Sequence, residues 1–328
     1  MPRKVQHGLS LIELMIAITL GMIVMATVLA LFLNISRSNA ELAKTNRLIE
    51  NGRFAIQILQ SDLAHAGYWG SLDYTLTPAP AYVTPTALPD PCVASGWSST
   101  DNLLAIPVQG YANDSTLSTC GVTGVLASSD VLVVRYANTC TAGSTCDGGS
   151  DTGQLIQISN CRTTTPIEAA YVVGAYSAAT FVLRSKDCTT VAPRRKIVSN
   201  IYYIATSNGQ PTLMRVALVN GAYAAPQQLI EGIEAFKVQY GIDTSVPGDG
   251  SADTYVSCAP CTLAQLTNVV SIKIHVLSRN LETSPGYTDN KAYQLGETTI
   301  AAAGDGYKRH VFSTTIRLVN PSSRREEP

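Results

Sequence analysis

The eight cysteines of this 328-residue chain are its side chains best equipped for chemistry: Cys92, Cys120, Cys140, Cys146, Cys161, Cys188, Cys258 and Cys261. Their thiols could pair as disulfides, hold zinc, or stay free. Cys258-Ala-Pro-Cys261 has the spacing of a redox or zinc motif. A zinc site needs a second such pair or nearby histidines, and no second C-x-x-C occurs. A thioredoxin-like motif needs a βαβ setting, which the flanking sequence lacks. Disulfides are the better reading, with short loops the simplest pairing: Cys92–Cys120, Cys140–Cys146, Cys161–Cys188 and Cys258–Cys261. Each would pin a loop poor in large apolar residues, at about 2–4 kcal/mol.

A second cluster is Asp243, Asp249 and Asp253, spaced by glycines in one short loop. Hard cations want several carboxylate oxygens, so calcium is one reading. The D-x-D-x-D-G spacing and the closing glutamate are missing, and a solvated hairpin loop is preferred. No other cofactor is suggested. Pro193-Arg194-Arg195-Lys196 is the only dense basic run. It lacks interleaved aromatics, and the formal net charge is −1, so no nucleic-acid partner is expected. The histidines His7, His65, His275 and His310 belong to no nucleophile or metal motif, and no P-loop, G-x-S-x-G or H-E-x-x-H occurs. The chain does not read as an enzyme.

A third candidate is a carboxylate in an unusual place. Glu13 follows Gly8-Leu9-Ser10-Leu11-Ile12, and from Leu14 to Ser36 there is no charged residue. About 20 apolar residues suffice to cross a bilayer as a helix, and the span here covers about 9–33. Arg3 and Lys4 precede it and should stay cytoplasmic. All cysteines follow it, which places the body in an oxidising compartment. The leader looks like a secretory signal, but the apolar run is too long for an h-region and no clean cleavage site follows. Glu13 can be read as a first-turn residue favoured by the helix dipole or as a docking group.

The element carrying Glu13 continues well beyond the span. Leu42, Thr45, Ile49, Gly52, Ile56, Leu59, Leu63 and Ala66 recur at helical steps, while Arg37, Glu41, Lys44, Arg47, Glu50, Arg53 and Asp62 occupy the other faces. No proline falls between Pro2 and Pro78, and Gly67 is a natural stop. One helix over 9–67 is predicted, with its second half needing a partner on one side only. From Gly67 to about Pro91 the Tyr-, Thr-, Pro- and Gly-rich composition reads as a loop or a chain crossing the surface, and beyond it the pattern is β. Candidate strands are Leu103–Val108, Asp130–Tyr136, Leu155–Ser159, Thr180–Arg184, Ile201–Thr206, Thr212–Leu218, Glu234–Tyr240, Val269–Ser278 and His310–Leu318. Asn208-Gly209 signals a hairpin. Ile272, Ile274 and Val276 should face inward, Lys273 and His275 outward. The tail from Ser322 to Pro328 reads as frayed. The predicted class is α+β: a long helix with a transmembrane amino-terminal half, packed on an antiparallel β-sheet head with disulfide-bearing insertions over 68–328.

The stretch Gly8-Leu9-Ser10-Leu11-Ile12-Glu13-Leu14 resembles the class III signal of type IV prepilins and type II pseudopilins. The resemblance implies removal of the leader 1–8 by a prepilin peptidase between Gly8 and Leu9, and N-methylation of Leu9. The family's usual first mature residue is phenylalanine, here Leu9. It also implies that Glu13 docks against the amino terminus of a neighbouring subunit. Asn51-Gly52-Arg53-Phe54-Ala55, Ser61 through Gly70, Thr212-Leu213-Met214-Arg215, Leu229 through Glu234, Gln239 through Asp243 and Arg309 through Thr315 are similar to PilW-type minor pilins. About 78–193 then reads as an insertion. That family implies a subunit of the complex that initiates type IV pilus assembly near the tip, supporting twitching motility and attachment. Expected partners are other minor and major pilins, the prepilin peptidase, the inner-membrane assembly platform and membrane lipid. The expected location is the inner membrane, single-pass with a periplasmic head, and then the pilus. A type II secretion pseudopilin and a pilus-borne adhesin or calcium-binding module are the alternatives.

Overall fold

The computed structural model describes residues 10–71, 85–96, 100–112, 116–127, 129–164 and 167–326. Gly8 and Leu9 lie outside the described residues. Helix α1 runs Leu11–His65 without a break, as the absence of proline allows. The chain divides into two units at the Arg47–Leu48 junction. In the first unit α1 carries no charge from Leu14 to Leu33 and its large side chains are exposed. A helix this long and apolar can cross a membrane.

The second unit is the head. It begins with α1 from Leu48 and continues through α2 (Thr100–Ala105), β1 (Val108–Tyr111), β2 (Val131–Ala137), β3 (Gln154–Ile158), β4 (Tyr171–Ala175), β5 (Arg194–Ser207), β6 (Gln210–Val219), β7 (Ala222–Tyr223), β8 (Gln227–Glu231), β9 (Ile233–Ile242), β10 (Thr254–Val256), α3 (Leu263–Thr267), β11 (Val269–Arg279), β12 (Tyr293–Leu295), β13 (Thr298–Ile300), β14 (Arg309–Arg317) and α4 (Val319–Glu326). One sheet runs β1-β2-β5-β3-β4, with β6 also paired to β5 and β7 and β8 paired to β6. A second runs β10-β9-β11-β14, and β12–β13 is a separate hairpin. The pairs between these strands are antiparallel, as strands joined without helical crossovers should be. Asn208 and Gly209 both have positive φ and turn β5 into β6, with Ser207 opposite Gln210.

Both sheets pack on α1. Ala55, Leu59, Leu63 and Ala66 meet Leu132, Val134, Tyr202 and Ile204 of the first sheet and Phe236, Val238, Ile272, Ile274 and Val276 of the second. Each large side chain buried here contributes about 1.5–3 kcal/mol relative to exposure. β2 shows no alternation because both its faces are covered. Leu132 and Val134 join the helix side, while Val131 and Val133 pack with Leu117, Val122, Tyr203 and Met214.

Several sequence expectations are corrected. Within the head the buried stripe of α1 is Leu48, Gly52, Ala55, Leu59 and Leu63, so Ile49 and Ile56 flank it instead of lying on it. Leu42 and Thr45 belong to the first unit. Leu103–Val108 is not one strand: residues up to Ala105 form α2 and pairing starts at Val108. A short apolar run does not distinguish helix from strand, and Pro107 separates the two. Thr180–Arg184 forms only an isolated bridge, Arg184 to Val191, and the side-chain amide of Gln157 bonds the N–H and the carbonyl of Leu183. His275 is buried, not outward to solvent, since Gly296 of the β12–β13 turn sits over its ring. The tail is not frayed up to Glu326: α4 docks, with Ser322 fully buried.

Candidate functional site

The carboxylate that stands out in the sequence closes the first turn of α1. Ser10 N donates to Glu13 Oε2 at 2.9 Å, and Glu13 N donates to Ser10 Oγ at 3.3 Å. This is a reciprocal capping box, which satisfies donors that a helix start otherwise leaves open. The S-x-x-E spacing was visible in the sequence, but the role of Ser10 emerges only here. Beyond Glu13, Thr19 and Thr27 return their hydroxyls to backbone carbonyls at Met15 or Ile16 and at Val24. The described part of the span therefore hides its polar atoms within its own helix, and Glu13 is its only charged side chain.

The head grips the other end of α1 with polar contacts as well as packing. Asp62 accepts from Tyr136 Oη at 2.9 Å, Asn200 Nδ2 at 2.5 Å and Tyr202 Oη at 2.6 Å. The helical wheel had placed Asp62 on the solvent side; β2 and β5 surround it instead. Burial, followed by the Asp62 charge and hydrogen bond, pushes the Tyr136 and Tyr202 phenols above their ordinary value. Ser278 Oγ donates to Leu48 O at 3.1 Å, and Asn51 Nδ2 to Glu231 O at 3.0 Å. At the helix end Asn320 Nδ2 donates to Ala66 O at 3.1 Å, and Gly67, at φ 72°, donates its N–H to Arg135 O at 3.0 Å. These contacts fill the carbonyl and amide vacancies of a helix terminus.

The cysteines form four bridges in the structure: Cys92–Cys120, Cys140–Cys146, Cys161–Cys188 and Cys258–Cys261. No thiol is left free. The first closes the segment that covers the second face of β2. The basic run is spent on its neighbours: Arg194 pairs with Asp151 at 2.9 Å and lies over Tyr176, Lys196 pairs with Asp147 at 3.0 Å, and Arg195 donates to the Asn138 and Thr139 carbonyls. It holds the Cys140–Cys146 loop in place.

The three loop aspartates do not converge. Asp243 accepts from Arg325 Nε at 3.1 Å and from the amides of Ser245, Asp249 and Gly250. Asp253 takes the amide and hydroxyl of Thr244 and the Ser245 hydroxyl, and Asp249 takes the Ser251 amide. Among the described residues no group of three His, Cys, Asp or Glu side chains is arranged to hold a metal. A guanidinium occupies the place a cation would need at Asp243.

The two ends of this arrangement match known sequences separately. Residues 3–29 match the prokaryotic N-terminal methylation motif, a span containing Gly8, Leu9 and Glu13. Residues 201–320 match the family described as Type IV Pilus-assembly protein W. Over these two stretches the chain is similar to PilW proteins of type IV pilus assembly and to N-methylated prepilins. The matched stretches point to pilus biogenesis, and the apolar helix that carries the methylation motif is long enough to anchor the chain in a membrane. The PilW match covers β6 to β14 and the second half of β5, and leaves out the Cys-rich middle. A Type IV-like pilin, TTHA1219 from Thermus thermophilus, is similar over 84% of this chain and 97% of its own, at 13% identity and a TM-score of 0.39. No curated protein matches the chain significantly.

Proposed function

We propose that this chain is a PilW-type minor pilin that acts in the complex that initiates type IV pilus assembly near the tip, and through it supports twitching motility and attachment. The observation that carries the reading is the combination, on one unbroken helix, of a methylation motif and a single intramembrane carboxylate with a head that seals only the far end. A prepilin peptidase cuts between Gly8 and Leu9 and Leu9 is methylated. Glu13 then exchanges its bond to Ser10 for the amino terminus of a neighbouring pilin. A carboxylate at membrane depth costs about 2.5–3.5 kcal/mol on insertion scales, and a partner ammonium offsets that cost only in the assembled register. Apolar helices pack side by side while the head makes lateral contacts. The subunit waits in the inner membrane with its head in the periplasm, on the assembly platform, until it is extracted into the pilus.

The experiment is a pair of substitutions at the native locus. Gly8→Trp is expected to leave an uncut precursor on immunoblots. Glu13→Ala is expected to keep membrane insertion and processing but to reduce surface pili and twitching. Normal processing of Gly8→Trp, or full piliation with Glu13→Ala, overturns the reading.

A further inference from the structure

The second sheet ends on two very different edges. On one side β10 is three residues long. On the other β14 runs nine residues, Arg309–Arg317, in unbroken register with β11 from Arg279↔Arg309 to Ser271↔Arg317. The β11–β9 ladder next to it shifts register twice. Among the described residues nothing pairs with the outer side of β14. Secreted heads protect such edges with proline, lysine, bulges, short strands or a covering loop. Between His310 and Ile316 there is no proline, lysine or carboxylate, only His, Val, Phe, Ser, Thr, Thr and Ile.

The strand is also fixed at both ends before any partner arrives. At its start Arg309, almost fully buried, pairs with Glu234 at 2.6 Å, Asp289 at 3.0 Å and Asp305 at 2.7 Å. At its end Arg317 donates to Ser322 Oγ at 2.7 Å and pairs with Glu326 of α4. In the middle Phe312 is held against Gly52 of α1. A preformed edge of this kind costs little further ordering when a strand is added.

We infer that β14 is a docking edge, to which the head of a neighbouring pilin-family subunit adds an antiparallel or parallel strand. The occupant must offer an extended backbone, because the unpaired groups are alternating N–H and C=O. Its exposed face should carry hydroxyls and a carboxylate, since the outward side chains here are Ser313 and Thr315, with Lys273 on β11 opposite Thr315 and no acid on β14, while Arg317 is already paired with Glu326. Anchoring in one membrane confines such subunits to two dimensions, which raises their effective concentration for a weak edge contact. This inference rests on the assignment of the chain as a pilus subunit.

The test uses the full chain in its own cells, with a photo-crosslinking amino acid at Ser313 or Thr315, at exposed Val182 as the control, and at exposed Leu42 of α1 to report packing of the helices. The expected result is a crosslink from Ser313 and Thr315 to another pilin-family head, with none from Val182. Neighbouring residues of a strand direct their N–H groups alternately to the two sides, so of Thr314→Pro and Thr315→Pro one spares the β11 ladder. The variant whose head stays protease-resistant should lose co-purifying subunits about tenfold. Crosslinks from Leu42 without any from Ser313 or Thr315 overturn the docking edge and leave the subunit assignment standing. The absence of pilin crosslinks from all three positions overturns both. Crosslinks from Ser313 or Thr315 only to a second copy of this chain, or only to lipid, also overturn the inference, as does wild-type co-purification by the protease-resistant proline variant.

Discussion

The ring of Phe312 occupies the space that a side chain at Gly52 would fill. A Cβ on Gly52 would collide with Phe312 Cε2 and Cδ2. A glycine inside a helix costs roughly 0.5–1 kcal/mol relative to alanine, and here that cost permits β14 to lie close against α1.

Gly52→Ala should therefore destabilise the head in spite of its better helix propensity. The expected loss is about 1–3 kcal/mol, the usual range for overpacking. Guanidinium titration of the detergent-solubilised chain by tryptophan fluorescence measures it. Phe312→Leu in the same chain should recover part of the loss, giving a coupling energy between the two sites. A neutral or stabilising Gly52→Ala would mean that the ring can step aside.

Asp62 is the acceptor for three donors supplied by β2 and β5. Asp62→Ala leaves Tyr136, Asn200 and Tyr202 without that acceptor and is expected to cost about 2–4 kcal/mol. Asp62→Asn keeps one acceptor oxygen and should cost less. Hydrogen exchange at the end of α1 reads the local effect, with faster exchange from Leu59 to Ala66 in the alanine variant.

The Asp243–Arg325 pair ties α4 to the loop after β9 and makes that docking acid-sensitive. Burial alone would raise the Asp243 pKa, but the Arg325 hydrogen bond and the Gly250 and Ser245 amides outweigh it and hold it below the usual carboxylate value. A depressed carboxylate contributes its stability in full above its unfolded pKa of about 3.9, and loses it as pH falls through the lower folded pKa. Thermal stability should thus be flat near neutrality and fall below about pH 4. Arg325→Ala should reduce both the neutral stability and this acid slope. Because Arg325 already engages Asp243, calcium is expected to leave the melting temperature unchanged relative to EDTA; a clear upward shift with calcium would revive a cation at this loop.

Cys92 and Cys120 close a loop of sequence separation 28 over the outer face of β2. Replacing both by serine should cost about 3 kcal/mol and expose Val131 and Val133 to hydrogen exchange and proteases. Membrane insertion should be unaffected, since the anchor lies in a separate unit. Limited proteolysis of intact spheroplasts distinguishes the two effects.

The elements legible in the sequence were those with local causes. The proline-free stretch with apolar residues all round defined the anchor, Asn208-Gly209 defined a hairpin, and the alternation in Ile272-Lys273-Ile274 defined the inward face of β11. The methylation motif is contiguous, so it was readable as well, and the short-loop cysteine pairs coincide with the bridges in the structure. Other features depended on which surface arrives from far along the chain. Whether Leu48 or Ile49 is buried is decided by where β14 and β11 lie on the helix, not by periodicity, because both positions suit a helix. Asp62 looked solvated until two tyrosines and an asparagine from β2 and β5 closed around it, and His275 looked exposed until a hairpin 20 residues later covered it. α4 carries polar and charged groups that a linear reading assigns to water, and the buried Asp243 and the open carbonyl of Ala66 give Arg325 and Asn320 their partners. The sequence by itself determined the anchor, its carboxylate and the β-rich class, since these follow from composition and neighbour spacing. The tertiary structure alone decided how the head grips α1 and which strand it leaves unpaired, because buried polar groups and sheet edges are defined by contacts between residues far apart in sequence.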